Sequence, residues 1–223
     1  MRWMIGVLAV VAMVFLFTSG DVLACKGSEV LYEDNFATMD PAWGEPSNKQ
    51  SVKDGKLVIQ PEADKLWSAI NQANIFEDMD ACINVTIAKS DDVSWGGGLI
   101  FWAKGYDDYY YLLINGDGWY AVRRWTNGRA LDPVPWRQNA ALKKGVGQTN
   151  QLRVVTKGNE ATVYINDTQV VSFKGQPPQG GGFIGVIGNA PSVWEFSELK
   201  VTKPDAAATG SGASPGSGSY PGQ

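Results

Sequence analysis

Residues Tyr106–Trp125 read YDDYYYLLINGDGWYAVRRW. These twenty residues include five tyrosines and two tryptophans, in two runs separated by Asn115–Gly118. Asn and Gly tolerate positive φ, so this four-residue segment predicts a tight turn. The stretch therefore predicts a β-hairpin whose second strand begins at Trp119.

The first strand of this hairpin has no polar face. Side chains alternate between the two faces of a strand, yet both sets here are apolar or aromatic. In a two-sheet sandwich one face packs inward, and the other must be covered by loops or line a groove, because large exposed apolar patches usually mark binding surfaces. One face carries Tyr110, Leu112 and Ile114, and the other carries Tyr109, Tyr111 and Leu113.

The rest of the chain has the same character. Short apolar or alternating runs are separated by Gly, Asn and Pro, which is typical of a β-sandwich or barrel. No stretch keeps a helical period for long. The predicted strands are Glu29–Tyr32, Lys56–Ile59, Ala81–Ala88, Gly98–Ala103, Tyr109–Ile114, Trp119–Trp125, Gln151–Lys157, Ala161–Ile165, Val170–Lys174, Phe183–Ile187 and Val193–Val201.

Both ends of the chain differ from this middle part. Residues 1–24 read as a secretory signal peptide, with one positive charge and then an apolar run that is shorter than the roughly 20 residues of a membrane span. Residues 204–223 are mostly small residues, Gly and Pro, a composition typical of a disordered tail. We expect one domain, residues 25–203, in a protein exported to the periplasm or the outside of the cell, with no membrane span.

The two cysteines, Cys25 and Cys82, allow two interpretations. In an exported chain a single pair predicts a disulfide that ties the N-terminus to a strand. Alternatively, the string Val22–Cys25 is a bacterial lipoprotein signal with a lipid anchor on Cys25. We favour the disulfide, because Asp21 separates the apolar run from this string and a free Cys82 is unusual in an oxidising compartment.

Charge and composition exclude several classes of protein. The net charge is −4 and basic residues are scattered, so the chain lacks the positive surface that nucleic-acid binding needs. Histidine is absent, which excludes Ser-His-Asp and Cys-His nucleophiles as normally built. Phosphate-binding and dinucleotide-binding motifs are also absent from the sequence.

A series of turn and strand motifs carries a family resemblance. In order they are Asp34-Asn35-Phe36, Asp54-Gly55-Lys56-Leu57, Gly97–Trp102, Asp107–Tyr111, Asn150–Val155, Val163–Asn166, Gly181–Gly185 and Trp194–Val201. This order resembles the concanavalin A-like lectin/glucanase superfamily, in its laminin-G-like jelly-roll branch, and most of all the bacterial 3-keto-disaccharide hydrolase domain group. The resemblance implies an all-β, two-sheet antiparallel jelly-roll sandwich with a ligand site on a concave sheet face.

Carboxylates are the remaining catalytic candidates. Glycoside hydrolysis needs two carboxyl groups at a suitable separation, and jelly-roll glucanases carry them as Glu-x-Asp-x-Glu, a string that this sequence lacks. Glu195 and Glu198 are the nearest approach, but they share a face only if a bulge intervenes. Asp107, Asp108 and Asp117 are weak candidates for calcium, because no dense acidic loop surrounds them. We predict no metal site and no cofactor.

Aromatic residues favour binding over catalysis. Sugar rings present flat C–H faces that stack on aromatic rings, while polar side chains bind the hydroxyl groups. The same residues also suit half-buried strand positions, so packing is the alternative explanation. The predicted ligand-binding residues are Trp102, Tyr109, Tyr111, Arg123, Trp125 and Trp136.

Three functions follow in order of preference. The first is an exported, non-catalytic, lectin-like module that binds an oligosaccharide or polysaccharide on an aromatic sheet face. The second is a glycoside hydrolase that acts on 3-keto-disaccharides or glucans through carboxylates on separate strands. The third is a structural or interaction protein of the cell envelope.

Overall fold

The computed structural model describes residues 25–63 and 65–205. These ranges cover the predicted domain apart from residue 64, whereas the predicted signal peptide and residues 206–223 of the predicted tail lie outside them. The described residues form strands and turns, with one short 3-10 helix at Pro41–Trp43. Within these ranges, no helix is long and apolar enough to cross a bilayer.

Fourteen strands make up the domain. They are β1 (Val30–Asp34), β2 (Gln50–Lys53), β3 (Lys56–Ile59), β4 (Leu66–Phe76), β5 (Met79–Lys89), β6 (Gly97–Gly105), β7 (Asp108–Ile114), β8 (Trp119–Thr126), β9 (Arg129–Gln138), β10 (Thr149–Lys157), β11 (Glu160–Ile165), β12 (Thr168–Lys174), β13 (Gly182–Asn189) and β14 (Val193–Thr202). Eleven overlap the predicted strands, and β2, β4 and β9 were not predicted.

The strands form two antiparallel sheets. The larger sheet has the order β12–β11–β10–β5–β14–β3–β2, and β1 pairs with the second half of β14. The smaller sheet has the order β4–β13–β6–β7–β8–β9. Strands that are distant in sequence are neighbours, so the chain passes repeatedly between the sheets. This arrangement confirms the predicted all-β, two-sheet jelly-roll sandwich.

The core lies between the two sheets and confirms the predicted alternation. Tyr110, Leu112 and Ile114 of β7 are buried in it, together with the strand β14 residues Trp194 and Phe196. Burial of each large apolar side chain stabilises the fold by about 1.5–3 kcal/mol. The inward face of β7 therefore packs in the core. The other face of β7, on the outside of the sandwich, does not take part in this core.

The predicted turn between β7 and β8 is present and also fixes a neighbouring loop. The Asn115 side-chain oxygen accepts hydrogen bonds from the backbone N–H of Trp119 (3.0 Å) and of Asp117 (3.1 Å). Gly118 adopts φ +87°, a conformation that glycine reaches without strain. The Asn115 amide nitrogen donates to the Ser94 carbonyl at 2.9 Å. The hairpin thereby holds the loop before β6 beside the end of β7.

The predicted disulfide joins Cys25 to Cys82, with 5.6 Å between their Cα atoms. It lies on the outer face of the larger sheet, where Cys82 of β5 is opposite Arg153 and Lys200. A Cys25 Sγ in this bridge has no valence left for a lipid thioether. The disulfide and the lipid anchor on Cys25 therefore exclude each other, and the lipid anchor stays an untested prediction.

A buried ion pair lies beside the bridge. Arg153 donates from Nε and Nη2 to the two carboxylate oxygens of Asp80, each at 2.6 Å, and its guanidinium lies 4.6 Å from the centroid of the Tyr164 ring. The Lys26 backbone N–H also donates to Asp80, at 3.1 Å. The disulfide thus holds the N-terminal segment over this charge pair and keeps the pair buried.

Candidate functional site

The outer face of the smaller sheet is unusual because its side chains are buried without a third layer of strands above them. Residues paired across antiparallel strands share a face, so Tyr109 lies beside Trp125 and Tyr111 lies beside Arg123. We call the buried set on this face the outer cluster. It comprises Ile70, Ile100, Ala103, Tyr109, Tyr111, Leu113 and Ile187, with Trp125 and Phe183 packed against it.

Two tyrosines form the middle of the outer cluster. Their ring centroids are 5.4 Å apart with the rings tilted by 51°, and each residue is 4% exposed. Burial, with a smaller effect of Tyr111, raises the pKa of Tyr109 to about 12. Burial also raises the pKa of Tyr111, although the nearby Arg123 guanidinium opposes this shift. Both phenols are therefore neutral at physiological pH and act as a packed floor.

A cleft of about 310 Å³ opens at one end of this face, where β7 ends. We call it the tryptophan cleft, because Trp95 and Trp136 line it and are 52% and 38% exposed. Exposed apolar side chains that lie together, unlike single ones, often mark a binding site. The lining residues are Ser94, Trp95, Gly96, Leu113, Arg123, Trp136 and Asn189.

Gly96 allows the Trp136 ring to lie on the sheet. A Cβ atom at Gly96 would be 2.9 Å from Cη2 of Trp136 and 3.2 Å from Cβ of Leu113, which is closer than side chains pack. The indole therefore occupies the space that a larger residue at position 96 would fill. This contact brings Trp136, from the edge strand β9, over the end of β7.

Polar groups border the same cleft. Arg123 Nε donates to Asp132 at 2.6 Å, and no other side-chain hydrogen bond of Arg123 is present among the described residues. The Asn189 side-chain nitrogen donates to the Gly96 carbonyl at 2.6 Å, which leaves the side-chain oxygen as an acceptor. The cleft thus combines aromatic faces with both a donor and an acceptor, the arrangement typical of small-molecule sites.

Five of the six predicted ligand-binding residues share this face. Arg123 and Trp136 line the tryptophan cleft, Tyr109 and Tyr111 form the floor behind it, and Trp125 packs at the far end. Trp95, which also lines the cleft, is not among the predicted ligand-binding residues. The sequence feature that could have indicated Trp95 is the string Ser94–Gly96, in which a tryptophan precedes a glycine that lets another side chain approach the backbone closely. Asn189 had no sequence signal.

The prediction for Trp102 is corrected. Trp102 follows the core residue Phe101 and would face outward in a regular strand, but it has φ +49° and the pairing of β6 with β7 is irregular between Phe101 and Gly105. This bulge turns the indole into the core, where the residue is 2% exposed. It is therefore not part of the outer face.

The candidate catalytic carboxylates lie on the other side of the sandwich. The bulge that their spacing requires is present in β14, where the pairing shifts between Ser197 and Lys200. Both side chains nevertheless belong to the larger sheet: Glu195 accepts from Lys56 Nζ at 2.6 Å and Glu198 accepts from Asn84 at 2.7 Å. They cannot act on a molecule bound in the tryptophan cleft.

Among the calcium candidates, Asp108 is already paired with two basic side chains. Asp108 accepts from Arg124 Nε at 3.1 Å and lies 3.4 Å from Lys104 Nζ. Burial alone would raise the pKa of this carboxyl, but Arg124 and Lys104 outweigh burial and lower it. Among the described residues, no group of three or more His, Cys, Asp or Glu side chains is arranged to hold a metal ion.

Comparison with known proteins identifies the architecture. No protein-family model matches the chain, and no curated protein matches its sequence. A carbohydrate-binding module, CBM66, from Bacillus subtilis matches with a TM-score of 0.60 at 14% identity, over 70% of this chain and 92% of that one. A β-glucanase from Bacillus licheniformis gives a TM-score of 0.55 at 11% identity, over 78% and 98%. A Bacillus subtilis protein of unknown function with a galectin-like fold gives 0.62 at 10% identity, over 80% and 97%.

At identities of 10–14%, this likeness shows the fold alone. The narrower resemblance to the 3-keto-disaccharide hydrolase domain group stays a prediction. Strand order and structural neighbours agree, so the chain has a two-sheet antiparallel jelly-roll fold, which it shares with these proteins.

Proposed function

We propose that this chain is an exported saccharide-binding protein that binds its ligand in the tryptophan cleft and does not cleave it. The observation that carries the proposal is the exposure of Trp95 and Trp136 on either side of a cleft bordered by Arg123. Exposed indoles offer the flat apolar surface on which the C–H face of a sugar ring packs.

The polar groups of the cleft suit hydroxyl groups. Arg123 has five N–H donors in a planar fork and uses Nε for Asp132, so its remaining donors are available to a ligand. The side-chain oxygen of Asn189 supplies an acceptor. A sugar hydroxyl both donates and accepts, so it pairs with either group, whereas a purely apolar ligand would leave both groups unpaired.

The structural neighbours support the class of ligand. One is named as a carbohydrate-binding module and another as a β-glucanase. Since a fold does not by itself assign a function, this support is secondary to the residues of the cleft. Export rests on the predicted signal peptide, residues 1–24, and agrees with the disulfide, which persists in the periplasm or outside the cell.

Binding is favoured over hydrolysis because of where the carboxylates lie. Glycoside cleavage needs two carboxyl groups about 5–10 Å apart around the bond that breaks. The residues that line the cleft include no Asp or Glu, and Asp132 at its border is paired with Arg123. Glu195 and Glu198 are on the other sheet. We therefore do not assign the hydrolase function to this site.

The proposal is tested by titrating the mature chain with saccharides and measuring tryptophan fluorescence and calorimetric heat. Trp136→Ala should weaken binding by about 10–100-fold, because stacking on one ring contributes about 1.5–3 kcal/mol. Gly96→Ala should weaken binding as well, since it displaces the Trp136 ring.

The matched control is Leu131→Ala, which removes another exposed apolar side chain from the same strand, β9, at a position that does not line the cleft. This variant should bind like the parent protein. If laminari-, cello-, xylo- and manno-oligosaccharides and a broad glycan array all fail to bind, the proposal is wrong. Release of reducing sugar by the parent protein would instead favour the hydrolase.

A further inference from the structure

The tryptophan cleft lies at one end of the outer face. Behind the tryptophan cleft, Ile100 and Ile187 are fully buried, and Tyr109 and Tyr111 are 4% exposed. These residues belong to the strands in the middle of the smaller sheet, β13, β6 and β7. A ligand in the cleft therefore meets a floor of buried side chains behind it.

The far end is closed by a side chain that crosses the sheet. Tyr106 lies in the turn between β6 and β7 and is 48% exposed. Its hydroxyl oxygen accepts a hydrogen bond from the backbone N–H of Ile70 at 3.4 Å. Ile70 is in β4, and β13 lies between β4 and β6, so the Tyr106 side chain must pass over β13. Tyr109 and Trp125 occupy the neighbouring positions on β7 and β8.

We propose that the tryptophan cleft binds the end of a saccharide chain, one or two sugar units, and excludes internal segments of a polysaccharide. The inference rests on the proposed function and adds the form of ligand that the site accepts. A linear polymer that lay along the face would need both ends open, whereas Tyr106 occupies the end opposite the cleft.

The volume of the cleft agrees with a ligand of one or two sugar units. Ligand pockets range from about 300 to 1,000 Å³, and this cleft, at about 310 Å³, is at the small end of the range. The exposed indoles, Trp95 and Trp136, are both at this open end, where they contact the terminal rings of a chain. The rest of the chain then extends into solvent and adds few contacts.

The first experiment measures dissociation constants of the mature chain for laminari-, cello-, xylo- and manno-oligosaccharides of one to six units. For a series that binds, affinity should rise up to the disaccharide and then change by less than about twofold up to the hexasaccharide. An affinity that keeps rising, by about tenfold between disaccharide and hexasaccharide, would overturn the inference and leave the proposed function intact. Failure of every series to bind counts against the proposed function itself.

The second experiment opens the closed end. Tyr106→Ala removes the side chain that crosses β13, so affinity for the tetrasaccharide and longer chains should increase and become dependent on length. Tyr106→Phe is the matched control, since it keeps the ring and loses only the hydrogen bond to Ile70, and its profile should stay flat. A flat profile in Tyr106→Ala, with unchanged thermal stability, would show that Tyr106 does not limit the site and would overturn its assigned role.

Discussion

The outer faces of the two sheets each carry an arginine–aspartate pair with an N–O distance of 2.6 Å, but the pairs have different surroundings. On the larger sheet, the side chains of Arg153 and Asp80 are 9% and 2% exposed, under the disulfide-bonded N-terminal segment. On the smaller sheet, the side chains of Arg123 and Asp132 are 32% and 49% exposed beside the tryptophan cleft. An arginine–aspartate pair thus occurs once inside the protein, with two hydrogen bonds, and once in contact with solvent, with one.

Burial and the number of hydrogen bonds within the fold separate a structural arginine from one that is free to bind. Arg153 bonds both carboxylate oxygens of Asp80 and lies against the Tyr164 ring, so its donors and its flat face are both used within the fold. Arg123 uses one donor on Asp132. In water, an exposed pair of this kind contributes about 0–1 kcal/mol, so Arg123 can exchange part of that contact for a ligand at little cost.

The largest expected effect distinguishes the two pairs. Arg153→Ala leaves the Asp80 carboxylate buried without its partner and should lower the free energy of unfolding by about 3–5 kcal/mol. Arg123→Ala is the matched variant, and it should change stability by less than about 1 kcal/mol while weakening saccharide binding. Urea unfolding followed by tryptophan fluorescence measures both.

The double variant Asp80→Asn with Arg153→Met keeps this test decisive if Arg153→Ala does not fold. Because it removes both buried charges, it should recover most of the lost stability. Equal losses in Arg153→Ala and Arg123→Ala would contradict the view that burial separates the two pairs.

Removal of the disulfide has the second-largest expected effect on stability. Replacing Cys25 and Cys82 by serine frees the segment that covers Asp80 and should cost about 2–4 kcal/mol, since the bridge joins residues 57 apart in sequence and restricts the unfolded chain. The outer face of the smaller sheet contains no such link, so saccharide affinity of the folded variant should equal that of the parent protein.

The intact mass of the protein purified from its own host shows whether this bridge is present. With the bridge, the mass is lower by two hydrogen atoms than that of the reduced chain, and no thiol reacts with iodoacetamide until a reductant is added. A large apolar mass on Cys25 would instead establish the lipid anchor and leave Cys82 as a free thiol.

Most of the fold was predictable because the pattern of apolar residues is strong wherever a strand is buried. The three strands that were not predicted, β2, β4 and β9, are all at sheet edges. An edge strand has one unpaired side, so it tolerates residues that interrupt a central strand. β9 contains Pro133 and Pro135, which indicate a turn when only the sequence is read. It nevertheless carries Trp136 to the cleft.

The site was less predictable because it depends on irregular backbone. The alternation of β7 correctly placed Tyr109 and Tyr111 on the outer face. Trp102 was misplaced because a bulge reverses its direction, and local sequence does not reveal a bulge. The loop that carries Trp95 is held at the cleft by contacts from segments distant in sequence, which include Asn115 and Asn189. Contacts of this kind depend on tertiary structure and have no short-range pattern.

The smallest expected effect concerns the two carboxylates on the larger sheet. Glu195 is paired with the half-exposed Lys56, and Glu198 contacts Asn84 at the surface. Glu195→Gln and Glu198→Gln should therefore change stability by no more than about 0.5 kcal/mol and leave saccharide affinity within about twofold. Glu160→Gln, which alters an exposed carboxylate on β11 of the same sheet, is the control. The measurement is calorimetric titration together with an assay of reducing-sugar release. If the parent protein released sugar and either variant, but not the control, lost that activity, the outer face of the larger sheet would be the active site and the contrast between the two faces would be reversed.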